Sequence, residues 1–225
     1  MSHYAVAVFA DDPYDFDRLL APYNESNKEY YEFVEVPFEQ IKKEYEEFKK
    51  QNPKWTSRMY LKEFGYIKEG DKWGKRYNPH GYWDWYTLDG RDGLFERKPE
   101  FEDNDDEYLR KSMLDFFAED EEAVAYANEF WQRYIVNEDQ DIPGWYDAQY
   151  YLDRYKTRKQ FVKESSVTVP YAFITPDGVW HAPGQVGWFA ISDETAESWN
   201  KYYDEWVAFI NSDSDPYVSL VDCHI

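Results

Sequence analysis

A 225-residue chain with a formal net charge of −21 repels nucleic acid and anionic membrane at long range, which excludes both as direct partners. Its hydrophobic content of 43% argues against a disordered chain, and no run approaches the ~20 apolar residues of a membrane span. Aromatic residues make up 21% of the chain, with 10 Trp, 22 Tyr and 15 Phe, so the core must be built largely from rings whose polar tips need partners.

In chain order, Tyr4–Ala10 reads as a buried strand. Asp11 or Asp12, with Pro13 behind it, reads as the start of a short helix. The rings and valines of "YYEFVEVPF" favour a second strand. Phe38, Ile41, Tyr45 and Phe48 fall at helical spacing, and Asn52-Pro53 marks the end of that helix. Residues 54–98 are punctuated by Gly and Pro and read as turns and short strands. Within them, alternation places Trp83, Trp85 and Thr87 on one strand face, with Asp84, Tyr86 and Leu88 on the other.

Downstream, Leu109, Met113, Phe116 and Phe117 predict one helix, and Val124, Ala127, Trp131, Tyr134 and Ile135 a second. "YDAQYYLDRYKTRKQFV" predicts a third, with Ala148, Tyr151, Leu152 and Tyr155 along one side. From Val167 the pattern becomes strand, Pro-Asp-Gly turn, strand, Pro-Gly turn, strand. A helix carrying Trp199, Tyr203, Trp206 and Ile210 follows, then a terminal strand, "YVSLVDCHI". Together these predict one α+β domain over residues 1–225. It has a small antiparallel or mixed sheet, flanking helices and a mainly helical insertion at about 100–163.

Charge is unevenly spread. Lys42–Lys98 holds 14 basic against 10 acidic residues, and the rest of the chain 11 against 36. That cation-rich segment contains "NPHGYWDWYTLDGR". Its indole and phenol rings can stack on a flat ligand. The guanidinium of Arg91 can pair a phosphate, and Asp84 can accept from ribose hydroxyls or base N–H groups. Lys72, Lys75 and Arg76 add positive potential upstream. A Trp-rich hairpin with Arg91 held by an acidic neighbour is the competing structural reading. "ITPDGVWHAPGQVGW" is a second such stretch, where His181 and Trp188 can supply an opposite wall. The expected ligand-binding set is Trp83, Asp84, Trp85, Tyr86, Arg91, His181 and Trp188.

There is no phosphate-cradling glycine loop, and His3, His80, His181 and His224 lie far apart with no Cys/His metal spacing. No catalytic residues, metal or cofactor are expected. Cys223 is the sole cysteine, so no intrachain disulfide forms. The start "MSHYAVAVFADD" lacks a signal peptide's basic region, and the expected location is the cytoplasm.

The quoted stretches, with "LAPY" near the start, resemble those of a family of mostly uncharacterised proteins encoded by phages, prophages and plasmids. Its members pair an "NPxGxWDWYxxGGRW"-like segment with a later "TPDGxWHxxGxxGW"-like segment. This chain departs where "GGRW" becomes Asp89-Gly90-Arg91-Asp92. The resemblance implies a mobile-element origin, hence a host cytoplasm, and supplies no reaction. With it, the leading expectation is a phage-type, non-catalytic protein that sequesters a small anionic, nucleotide-derived immune signal of the host. The alternative is an acidic DNA mimic or decoy that occupies a basic host defence protein. A hydrolase using His181 and a carboxylate is a third reading. Homo-oligomer formation stays open, although no coiled-coil pattern shows.

Overall fold

The computed structural model describes residues 3–91, 93–102, 106–138, 141–144, 146–185 and 192–225. The chain opens with β1 (His3–Ala10) and α1 (Phe16–Leu20). It continues through β2 (Glu32–Glu35), α2 (Phe38–Gln51), α3 (Ser57–Glu63), β3 (Ile67–Glu69) and β4 (Lys72–Tyr77). Next come β5 (Trp85–Thr87), β6 (Glu96–Arg97), β7 (Leu109–Arg110), β8 (Leu114–Asp115) and α4 (Glu121–Phe130), which a π-helical stretch, Trp131–Val136, prolongs. The remainder is α5 (Ala148–Arg154), α6 (Arg158–Ser165), β9 (Ala172–Ile174), β10 (Trp180–His181), α7 (Ala196–Ile210) and β11 (Tyr217–His224). The fold is α+β, with mixed and antiparallel sheets and flanking helices. The chain divides into two compact units, one formed by Met1–Leu20 with Trp85–Ile225 and the other by the contiguous segment Ala21–Asp84.

The first unit is built on a sheet of order β10-β9-β1-β11-β5, with β7 also paired to β11. Its spine is β1 against β11, antiparallel in register from His3↔His224 to Ala10↔Tyr217, while β9 runs parallel to β1. Both faces of β1 are buried, which accounts for its nearly continuous apolar run. On one face Ala7, Phe9, Phe173 and Leu220 pack with Tyr202 and Trp206 of α7. Fully burying each such side chain contributes about 1.5–3 kcal/mol. The Tyr202 hydroxyl donates to the Pro170 carbonyl at 2.5 Å, so its polar tip is satisfied inside the core. A satellite core of Phe130, Trp131, Tyr155 and Phe161 ties α4 and its π-helical extension to α6.

Two predicted helices come out differently. Leu109–Phe117 is not α-helical: Leu109 and Arg110 pair with Val218 and Tyr217, and Leu114 pairs with Arg97. Distant strand partners override the local periodicity. The helix expected near 147–162 is two helices, because Thr157 caps a fresh start by accepting from the Gln160 N–H at 3.1 Å.

The second unit is a β2-β4-β3 sheet with α2 and α3. Its core is Ile41, Tyr60 and Tyr66, flanked by Tyr45, Phe48 and Trp73. The helical stripe predicted for Phe38–Phe48 supplies Ile41, Tyr45 and Phe48 to this core.

Candidate functional site

The first half of the "NPHGYWDWYTLDGR" segment is a structural clasp of the second unit. The buried Asn78 amide donates to the carbonyls of Pro22 (2.7 Å) and Asn24 (2.9 Å). Its oxygen accepts from the His80 N–H at 3.0 Å. A Cβ on Gly81 would lie 2.5 Å from the Glu25 Cα, so only glycine fits that approach. Trp83 is 3% exposed, and its carbonyl accepts from the Glu25 N–H at 2.9 Å. It forms an isolated bridge with Asn24 and is not part of a strand. Trp83 and Asp84 end the second unit, and Trp85 resumes the first. The single strand expected through Trp83 and Trp85 is therefore broken at this boundary, and β5 begins at Trp85.

Trp85 stacks on His224, with ring centroids 5.0 Å apart, and meets His3 edge-on at 5.4 Å. On the same face Asp222 gathers the Arg91 guanidinium and the His3 ring. Its Oδ1 accepts from Arg91 Nε at 2.8 Å and lies 2.7 Å from Nη2, while its Oδ2 lies 2.9 Å from His3 Nδ1. Arg91 is thus already held by a carboxylate. Tyr86 lies opposite Cys223 in the register and donates to Asp17. Burial, and then the Asp17 carboxylate, push the Tyr86 phenol well above its ordinary range. The turn that follows is locked on β11. Asp89 adopts φ +54°, and its carboxylate accepts from the Ser219 hydroxyl at 2.7 Å. Aspartate tolerates this left-handed conformation better than most residues.

His181 lies on the far edge of the same sheet. It stacks on Phe173 at 4.4 Å, and its Nδ1 is 2.9 Å from Glu205 of α7. Three strands separate β10 from β5, or about 19 Å at ~4.8 Å per strand. His181 therefore does not share a site with Trp85 and Arg91. Trp188 lies outside the described residues. Among the described residues no group of three or more His, Cys, Asp or Glu is placed to hold a metal ion. No helix among them is long and apolar enough to cross a membrane.

A shallow, open groove of ligand size lies in the second unit. It has a volume of about 560 Å³ and is lined by α3, β3 and β4. Leu61, Tyr66, Ile67 and Trp73 supply apolar walls. Arg58, Lys62 and Lys68 bring three cations to it, all exposed. Local sequence explains the arrangement. Thr56 caps α3 by accepting from the Met59 N–H. Tyr60 then turns into the core, while Arg58, Leu61 and Lys62 share a face at i, i+3, i+4 spacing. Gly65, at φ +68°, closes the helix and returns the chain to Tyr66, whose N–H bonds the Leu61 carbonyl at 2.8 Å.

Among the described residues no carboxylate lies within ion-pair distance of Arg58, Lys62 or Lys68. The cations singled out by sequence are spent elsewhere. Lys72 pairs with Glu35 at 2.5 Å and Arg76 with Glu69 at 2.7 Å, and Lys75 sits 4.2 Å over the Tyr66 ring. Sequence reasoning passed over Arg58, Lys62, Lys68 and Trp73. The signal was present as two cations and a leucine on one helical face, followed by a short β-hairpin.

No protein-family model, curated protein or solved structure matches the chain.

Proposed function

We propose that this protein is a non-catalytic binding protein that sequesters a small anionic ligand in the α3–β3–β4 pocket. One observation carries the reading: three cations without carboxylate partners surround an apolar, ring-bearing cavity of about 560 Å³. This volume lies in the ~300–1,000 Å³ range of small-molecule sites, which combine apolar walls with a few polar groups. The unit that holds it carries 12 basic and 12 acidic residues, so its own net charge is zero. Local cations then decide binding at contact distance. The mobile-element resemblance makes a nucleotide-derived immune signal of a host the first ligand to test. Isothermal titration against ATP, cyclic dinucleotides and ADP-ribose tests the reading. Micromolar binding is expected with at least one, lost in the Arg58→Glu/Lys62→Glu variant. No heat with any of them at protein concentrations well above micromolar sinks it.

The charge distribution favours a second reading, an acidic decoy for a basic host protein. The unit formed by residues 1–20 and 85–225 holds 13 basic against 34 acidic residues and so carries all of the −21. Pull-down from a host lysate at low salt should then recover a nucleic-acid-binding protein. Recovery of none ends that reading.

A further inference from the structure

The side chains lining the same pocket also define how a ligand is chosen. We infer, resting on the binding function proposed above, that the pocket selects a nucleoside polyphosphate by ring and charge, without reading the base or the sugar.

Arg58, Lys62 and Lys68 are donors with no acceptor atom, and the Trp73 indole N–H is likewise donor-only. Leu61 and Ile67 have no polar atom, and Gly65 has no side chain. The Tyr66 hydroxyl is committed to Glu44, to which it donates at 2.5 Å. Ser57 alone adds a side-chain acceptor, and no Asp, Glu, Asn or Gln lines the cavity. Base identity is read by matching donors and acceptors together, and a ribose is held through acceptors for its hydroxyls. A side-chain set of donors with Ser57 as its one acceptor makes few such matches. It rewards acceptor-rich groups, above all phosphate oxygens, while Trp73, whose ring already stacks on Phe38 at 5.5 Å, offers its remaining π-surface to any base. Adenine and cytosine, ribose and deoxyribose are therefore equivalent to this site. Phosphate number is not, because three cations meet more charge on a triphosphate than on a monophosphate.

The test is a titration series on the full chain with ATP, CTP, dATP, AMP, adenosine and pyrophosphate. ATP, CTP and dATP should agree within about threefold. AMP should bind about tenfold or more weakly, and adenosine below detection. Pyrophosphate should bind about tenfold more weakly than ATP, through loss of one ring stack. Trp73→Leu should weaken ATP and leave pyrophosphate unchanged. Lys62→Gln, at an exposed position, should weaken both and covers the case in which the Trp73 variant fails to fold. A tenfold preference for one base, or for ribose over deoxyribose, overturns this inference and leaves the binding function standing. Failure of all three triphosphates and of pyrophosphate to bind overturns both.

Discussion

The charged groups around β5 and β10 of the sheet unit and those around α3 of the second unit are treated in opposite ways. In the sheet unit, Arg91 and His3 converge on Asp222, His181 on Glu205 and Tyr86 on Asp17. Every partner there comes from an element remote in sequence. In the α3–β3–β4 unit, Arg58, Lys62 and Lys68 meet no carboxylate, although acidic residues are as numerous as basic ones in that unit. The contrast teaches that residue type alone does not mark a site. An arginine close to tryptophans in sequence can be held by a remote carboxylate, while Arg58 and Lys62, in an ordinary helical pattern, stay exposed without one.

The largest expected effect lies in the clasp. Asn78→Ala removes a buried amide that bonds three backbone groups, the carbonyls of the half-buried Pro22 and Asn24 and the N–H of the exposed His80, and each lost hydrogen bond costs about 0.5–1.5 kcal/mol. Denaturant unfolding should show a loss of about 3 kcal/mol. An effect under about 0.5 kcal/mol would show that Asn78 does not clasp the second unit. Next, Asp222→Ala strands Arg91 and His3. The carboxylate side chain is 18% exposed, so a cost of about 2 kcal/mol is expected, below that of a fully buried pair. The variant should also bind phosphate weakly through the released Arg91, and the wild type should show no phosphate contact at that residue by NMR. If the wild type already binds there, the contrast between the units collapses.

A smaller effect depends on pH. Burial raises the Glu164 carboxyl above the ordinary carboxylate range. Its folded form therefore holds a proton more tightly than its unfolded form. The stability this contributes is full below the unfolded value and is lost as pH rises through the folded one. Glu164→Gln should thus stabilise the protein by about 0.5–1 kcal/mol at pH 7, with the difference vanishing near pH 4. An equal effect at both pH values would assign it to packing. Smallest of all, Arg58→Gln with Lys62→Gln should move stability by no more than about 0.5 kcal/mol. A larger loss would mean that these cations serve the fold after all.

Much of the fold was legible. The unbroken apolar run of β1, the stripe of α2 and the Pro-Asp-Gly hairpin between β9 and β10 each follow from local pattern. Leu109–Phe117 was misleading because rings spaced for a helix also serve short strands whose partners are remote. The break before α6 was readable from Thr157 and Gln160, a capping signature inside an otherwise helical run. The binding reading, by contrast, was aimed at the densest ring cluster. Alternation through Trp83 and Trp85 assumed one continuous strand, and a boundary between two compact units carries no periodic signal. Whether Arg91 is spent or open depended on Asp222, a residue more than 100 positions away.

The spine of the sheet unit also dictates an order of assembly. β1 is synthesised well before its antiparallel partner β11, which lies more than 200 positions downstream at His3↔His224. Closing a loop of that length precedes any gain from the pairing. The pocket unit has its pairings within one contiguous stretch and can form while β11 is still unmade. On the ribosome, β1 must wait for β11, and the α3–β3–β4 unit can be complete before the sheet is. Stopped-flow refolding should show the same sequence, with Trp73 reporting a fast phase and Trp206 a slow one.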